Sequence, residues 1–227
     1  MPVSPENNAV LNAVEVRVLG ALVEKEKTTP DYYPLSLNAL TNACNQLSNR
    51  EPVVSYDDGA VLRAVEALRV KKLAFVFHGA DSRVPKYGHK FAEMLGTTPA
   101  ETAVLCVLML RGPQTIGEVR GRTGRMHEFA SLADVETTLQ GLATHAHQPL
   151  VVKLPRQAGF KESRYAHLLA GPPEAMAPET PASPETSPAP LTPDRERLAK
   201  LETDTAALRR EVDEMRQQLT ALRRLLE

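Results

Sequence analysis

Three arginines fall within six residues in the run RGRTGR, from Arg120 to Arg125. A guanidinium group offers a planar fork of N–H donors that suits phosphate and carboxylate oxygens equally. The run, with Arg122 at its centre, therefore predicts a contact with a nucleic acid backbone or with an acidic protein surface. The alternative is a solvated turn in which these arginines pair with Glu118 and Glu128.

Other residue types that could do chemistry lack the spacing that chemistry needs. His145 and His147 are two residues apart and have no partner at metal-ligand spacing. Gly117, Gly121 and Gly124 resemble a phosphate-binding loop, but no strand precedes them and no Gly-Lys-Ser/Thr follows. We therefore expect a protein that is not an enzyme and that holds no metal and no cofactor.

The elements that position the arginine run occur twice in the chain. Residues 12–90 read as three helices followed by two short strands, and residues 98–168 read as the same series. Constant offsets relate the two series: Glu15, Leu19 and Leu22 match Glu101, Leu105 and Leu108, Val61 and Leu68 match Val135 and Leu142, and Tyr87 and His89 match Tyr165 and His167. This order predicts an α+β fold, mostly α, built from tandem winged helix-turn-helix domains.

Local signals indicate where the helices begin and which side chains face the core. The expected N-caps are Asn12, Ser36, Asp57 or Asp58, Thr98, Thr115 and Ser131. Leu47 of the second helix and Leu132 of the last helix are expected to face the core. Pro85 indicates that the return strand of the first hairpin lies at a sheet edge.

In a helix-turn-helix, the third helix and the adjoining hairpin approach DNA. The third helix of the second repeat has no Lys or Arg and carries Asp134 and Glu136, so the first repeat is expected to be the better DNA reader. The candidate nucleic-acid or partner contacts are Arg63, Arg69, Lys71, Lys72, Arg83, Lys86, Arg120, Arg122 and Arg125.

The last part of the chain has a different composition. Residues 170–193 are rich in proline, which predicts a disordered linker. Residues 194–227 carry apolar side chains in alternating steps of three and four, which predicts a coiled-coil helix and a homodimer. The dimerisation residues are Leu198, Leu201, Leu208, Val212, Met215, Leu219, Leu222 and Leu226. The alternatives are a single amphipathic helix that lies on the winged domains and a frayed tail.

The net charge and the lack of targeting signals limit the kinds of partner that the protein could have. The net charge of the chain is −1. Residues 1–170 hold 19 Lys and Arg against 17 Asp and Glu, or +2, which is not the strong basic excess typical of an obligate DNA-binding protein. The N-terminus lacks the pattern of a signal peptide, and the apolar run Ala103–Leu110 is too short to span a bilayer. We expect a soluble, cytoplasmic protein without a membrane partner.

Two long stretches resemble a known family. YPLSLNALTNACNQLSNREPVVSYDDGAVLRAVEALRVKKLAFV and RTGRMHEFASLADVETTL closely resemble the YceH-like family of uncharacterised bacterial proteins. The resemblance covers roughly residues 8–168. The resemblance implies a tandem winged-helix fold, but it does not indicate an activity.

The sequence thus predicts winged-helix domains over 8–92 and 97–169, a linker over 170–193 and a coiled coil over 194–227. The leading hypothesis is DNA binding, in the manner of a transcriptional regulator, and the arginine run and the basic first hairpin favour it. The alternative is a protein–protein adaptor resembling the winged-helix accessory subunits of chromosome-condensing complexes. Near-neutral charge and the acidic last helix favour the adaptor.

Overall fold

The computed structural model describes residues 10–78, 84–156 and 162–173. These residues form a mixed α/β structure of helices and two small antiparallel sheets. The elements are α1 (Ala13–Thr28), β1 (Leu35–Ser36), α2 (Leu37–Cys44), α3 (Asp58–Val70), β2 (Ala74–Phe77), β3 (Lys86–His89), α4 (Phe91–Leu95), α5 (Pro99–Arg111), α6 (Ile116–Thr123), α7 (Leu132–Ala143), β4 (Val151–Lys153) and β5 (Tyr165–His167). A short 3-10 turn, Pro30–Tyr32, follows α1.

The predicted helix starts are confirmed. Asn12 and Glu15 cap α1 reciprocally: the Asn12 side chain accepts from the Glu15 amide at 2.9 Å, and the Glu15 carboxylate accepts from the Asn12 amide at 2.8 Å. Thr98, Thr115 and Ser131 form the same type of capping box at α5, α6 and α7. Ser36 caps α2 and Asp57 caps α3. Each cap satisfies amides that a helix leaves without partners, so these boundaries follow from local sequence.

The two sheets repeat one plan. In the first, the strand order is β1-β3-β2, and Leu35 of β1 pairs with Tyr87 of β3. In the second, β4 pairs with β5, and an isolated bridge joins Gln114 to Tyr165. Gln114 therefore occupies in the second repeat the place that β1 occupies in the first. The sequence repeat corresponds to a repeat of helix, short extended segment, two helices and a hairpin.

The expectation that Pro85 marks an edge strand is wrong. The return strand β3 lies in the centre of its sheet, between β1 and β2. Pro85 immediately precedes β3 and removes no hydrogen bond from the ladder, so a central position is compatible with it. The short strand β1 and the connecting helix α4 were not expected from the sequence.

Two residues expected in the core are exposed. Leu47 is 85% exposed, because α2 ends at Cys44 and the chain has left the helix before Leu47. Leu132 is 50% exposed, because it is the first residue of α7 and lies beyond the surface that the helix buries. Helical periodicity does not apply to Leu47, which lies outside α2, and at Leu132 it gives the side of the helix but not whether the core reaches that far.

The two repeats pack together through their first helices, α1 and α5. The close approach occurs at Gly20, where an added Cβ would lie 2.9 Å from the Leu110 side chain. The Cys106 thiol contacts the Gly20 carbonyl at 3.5 Å, and Cys106 is the repeat equivalent of Gly20. Backbone hydrogen bonds from Leu11 to Leu169 and from Glu51 to Leu110 add further links. The described repeats therefore share one continuous core.

Several expectations concern residues outside the described ranges. Arg83 and the whole predicted coiled coil, residues 194–227, lie outside the residues that the structure describes. The same holds for the predicted linker beyond Pro173. These interpretations remain predictions.

We expect Gly88→Ala to destabilise the protein by about 1–3 kcal/mol, because a side chain there overpacks the first sheet. The Phe75 ring lies across Gly88, and an added Cβ would be 2.4 Å from it. In the second sheet the equivalent pair is Val152 and Ala166. The double variant F75V/G88A should therefore regain most of the stability that G88A loses. Urea unfolding followed by circular dichroism measures both effects, and a double variant no more stable than G88A would contradict this account.

Candidate nucleic-acid or partner interface

Helix α3 offers the first group of predicted contacts. Val61, Val65 and Leu68 bury one face of the helix, and this places Arg63 and Arg69 on the exposed face. Arg69 pairs with Glu66 at 2.6 Å, with both side chains well exposed to solvent. An exposed pair of this kind costs little to break. Both arginines are therefore accessible to a partner.

The cations that follow α3 differ in their accessibility. Lys71 donates to the Glu15 carboxylate at 2.6 Å, and both side chains are largely buried. This ion pair joins the end of α3 to the start of α1, so Lys71 serves the fold. Lys72 is exposed and adopts a left-handed backbone conformation with φ 61°. Lys86 lies on β3, on the same sheet face as Phe77, with which it pairs.

The arginine run lies at the end of α6 and in the turn before α7. Arg120 donates to the carbonyl of Ala130 at 2.9 Å and approaches that of Phe129 at 3.4 Å, so it braces the turn. Arg122 lies 3.4 Å from Glu118, one helical turn earlier. Arg122 thus pairs with Glu118, as the solvated-turn alternative expects, whereas Arg120 binds backbone carbonyls and neither of the two glutamates. No ion pair of Arg125 occurs within residues 10–78, 84–156 and 162–173, and its side chain is exposed.

The structure brings cations of both repeats near one another where α1, α5 and α6 end. Burial lowers the pKa of Lys25, and the charges of Arg50 and Arg125 lower it further, against the opposing effect of Glu24. Burial also lowers the pKa of Arg111, and so does the charge of Arg122. Neither Lys25 nor Arg111 is among the contacts predicted from the sequence. The C-termini of helices carry partial negative charge, which these cations offset.

Helix α7 presents an exposed face without cations. Asp134 caps the helix together with Ser131, and the hydroxyls of Thr137 and Thr138 bind carbonyls of their own helix. With Leu132 exposed beside them, this face is mildly acidic and partly apolar. Such a face is poorly suited to a phosphate backbone.

Sequence reasoning missed two buried arginines, Arg17 and Arg50. Arg50 binds both oxygens of the Glu24 carboxylate, at 2.6 and 3.2 Å, and donates to the carbonyl of Ala43 at 2.7 Å. Arg17 donates to the carbonyls of Cys44 and Pro52, and burial lowers its pKa. Through these hydrogen bonds, both arginines hold the link between α2 and α3, residues 45–57, against α1. Their partners are distant in sequence, so no local pattern points to them.

The remaining reactive side chains serve packing. Tyr87, His89 and Tyr165 are buried at the ends of the hairpin strands. Burial raises the pKa of the Cys44 thiol to about 12 and that of Cys106 still further from its ordinary value. Neither thiol is poised to react, because the thiolate is the reactive form.

The described ranges contain neither a cluster of metal-ligand side chains nor a helix that could span a membrane. No group of three His, Cys, Asp or Glu residues there is arranged to hold a metal ion. Among the same residues, every helix is too short or too polar to cross a membrane.

Comparison with known proteins places the chain in a family. Residues 11–160 match the family model described as "Protein of unknown function, DUF480". A UPF0502 protein of Opitutus terrae is 58% identical over 92% of this chain and 87% of its own length. A UPF0502 protein of Geotalea uraniireducens is 52% identical over 92% of this chain and 97% of its own length. The YceH-like family is UPF0502, so the sequence resemblance is confirmed. The chain belongs to this DUF480/UPF0502 family of uncharacterised bacterial proteins.

Proposed function

We propose that this protein is a tandem winged-helix protein that binds double-stranded DNA through its first repeat. The observation that carries the proposal is the arrangement of the first repeat: α1, β1, α2, α3 and then the β2–β3 hairpin, with β3 in the centre of the sheet. This is the element order of a winged helix, in which the third helix enters the major groove and the hairpin contacts the backbone. Within the described ranges, no other helix or strand covers the face of α3 that carries Arg63 and Arg69.

The electrostatics favour the first repeat over the second. Arg63, Lys72 and Lys86 flank α3 and the hairpin, and none has an ion-pair partner within the described part of the chain. In the second repeat, Arg120 and Arg122 bind the protein's own groups and α7 has no cation. Binding would thus rest on few phosphate contacts, so its affinity would fall with salt less steeply than that of a protein that makes many such contacts.

A salt series tests the proposal. Each phosphate contact contributes roughly −0.9 to the slope of log affinity against log salt. We expect the triple variant R63A/K72A/K86A to reduce the magnitude of that slope by about 2–3, with little change in sequence preference. The control K90A/K153A/R156A removes the same charge from exposed positions outside the proposed surface and should leave the slope nearly unchanged.

The measurement is fluorescence anisotropy of the full-length protein with a random labelled duplex, beginning at low salt where electrostatic affinity is greatest. Absence of binding under those conditions would exclude DNA as the partner. Equal slopes for the triple variant and its control would mean that binding does not use the first repeat.

A protein–protein adaptor is the second candidate, and the face of α7 specifically favours it. That face combines the exposed Leu132 with carboxylates and hydroxyls, which suits a protein surface better than a phosphate backbone. Partners captured from cytosol and retained after nuclease treatment would support the adaptor if L132D releases them.

We further propose that residues 194–227 dimerise the chain as a coiled coil, and that the protein is cytoplasmic and not an enzyme.

A further inference from the structure

A cavity of about 570 Å³ lies between the two repeats, beside the residues at which the described chain begins and ends. Leu19 of α1 and Phe91 of α4 line it, and both belong to the hydrophobic core. The segment that follows β5, which includes Leu168 and Leu169, forms another wall. Sites that bind small molecules are concave and have volumes of roughly 300–1,000 Å³. The cavity therefore has the size of a small-molecule site.

Apolar side chains make up most of the lining of this cavity. Leu73, just before β2, and Leu95, at the end of α4, are half-buried around it. Val10 and Met94 also line it, and they are 62% and 39% exposed. Removal of apolar surface from water is favourable, so a ligand with an apolar body is stabilised when it fills the cavity.

Two side chains that line the cavity can donate hydrogen bonds. Lys71 is the one charged residue of the lining, as far as the described ranges extend. Its Nζ donates to the Glu15 carboxylate at 2.6 Å and to the Val10 carbonyl at 3.3 Å, which places the ammonium beside the cavity. An ammonium group has three N–H donors, so one remains available. Gln148 is the second donor, and its side chain has no hydrogen-bond partner in the described part of the chain.

Glu15 offsets the positive charge of Lys71 only in part. The Glu15 carboxylate also accepts from the Asn12 amide in the first turn of α1, where the partial positive charge of the helix terminus stabilises it. Among the described residues, no carboxylate lines the cavity. Lys71 therefore attracts an anionic group in the cavity and repels a cationic one.

We propose that this cavity binds a small molecule with an apolar body and a single carboxylate, whose oxygens accept hydrogen bonds from Lys71 and Gln148. The carboxylate uses the remaining N–H donor of Lys71, so the ion pair with Glu15 that joins α3 to α1 is kept. The apolar body covers the leucine and phenylalanine side chains of the walls. Binding of this kind does not involve DNA, so the inference is independent of the proposed function.

Calorimetric titration of the full-length protein with two probes tests the chemistry of the site. Decanoate and decylamine share one apolar chain and carry opposite charges at neutral pH. Below the concentrations at which they form micelles, we expect decanoate to bind at least about tenfold more tightly, because its head accepts hydrogen bonds from a charged donor. Binding that does not distinguish the two probes would overturn the proposal, and so would a failure of decanoate to bind.

Opposite charges at one position test where the probe binds. Met94 is partly exposed in the wall of the cavity, so both M94E and M94K should fold. M94E should weaken decanoate binding by about threefold or more, because the new carboxylate repels the head, whereas M94K should not weaken it. The control L47E adds the same charge at an 85% exposed position that does not line the cavity, and it should leave the affinity unchanged. Equal affinities of M94E and M94K would place the probe elsewhere and contradict the proposal.

Two variants of the ion pair test the role of Lys71. E15Q keeps an oxygen that can accept the capping hydrogen bond and leaves the charge of Lys71 without its partner, so it should bind decanoate more tightly than wild type. K71M/E15Q removes the cation without leaving a buried carboxylate unpaired, and it should bind decanoate about tenfold more weakly than E15Q. Circular dichroism verifies that each variant is folded. Equal affinities of E15Q and K71M/E15Q would overturn the role of Lys71, and if the double variant does not fold, the two Met94 variants decide.

Discussion

Replacing Arg50 with alanine is expected to lower the free energy of unfolding by about 3 kcal/mol, because it leaves the largely buried Glu24 carboxylate with only Lys25, at 3.9 Å, as an ion-pair partner. The Arg50 side chain is fully buried and contacts both oxygens of Glu24. It also donates to the Ala43 carbonyl near the end of α2 and to Gln46. Its loss would therefore detach the link between α2 and α3 from α1. Urea unfolding at neutral pH measures the change.

Two comparisons distinguish the lost ion pair from the loss of a charge. R63A removes an exposed arginine and should change stability by no more than about 0.5 kcal/mol. The double variant E24M/R50M replaces both partners with apolar side chains, which is often nearly neutral. It should therefore be more stable than R50A. If R50A is no less stable than R63A, the network does not hold the link in place.

Acidification is expected to destabilise the fold by up to about 3 kcal/mol through His167 alone. Burial lowers the pKa of His167 to about 4, from about 6.5 in the unfolded chain. Above pH 6.5 the imidazole is neutral in both states and stability is complete. Between pH 6.5 and pH 4 the unfolded state binds a proton that the folded state does not, so stability falls. Burial also lowers the pKa of His89, which acts in the same direction.

The measurement is the difference in unfolding free energy between wild type and H167L across pH 4–7, because carboxylate titrations are common to both and cancel. Wild type should lose stability relative to H167L as the pH falls. A wild-type curve parallel to that of H167L would show that His167 does not titrate anomalously.

The sequence predicted the features that depend on residues close together in the chain, such as the positions where helices begin. Capping boxes join residues three apart, so Asn12, Thr98 and Thr115 could be recognised without knowledge of the fold. The central position of β3 depends on β1, which is fifty residues away and too short to give a periodic signal. Local pattern alone could not place it.

The candidate site shows the same limit more sharply. The sequence suggested that Lys71 and Arg120 could bind a partner. In the structure, Lys71 forms an ion pair with Glu15 and Arg120 donates a hydrogen bond to a backbone carbonyl. Arg50 was missed because arginine is rarely buried and nothing beside it in the sequence reveals Glu24. Whether a cation is available to a partner depends on contacts across the fold, and only the three-dimensional structure supplies them.

The contact between α1 and α5 joins equivalent positions of two related halves. Gly20 and Cys106 are equivalent positions and contact each other at 3.5 Å, and Gly20 also lies against Leu110, whose equivalent in the first half is Glu24. The chain thus contains within one polypeptide what resembles the interface of a symmetric dimer. Such an association cannot dissociate on dilution, and its two halves need not remain alike. The first half carries basic groups around its third helix, whereas the third helix of the second half is acidic, so a target that engages both helices would itself need to be asymmetric.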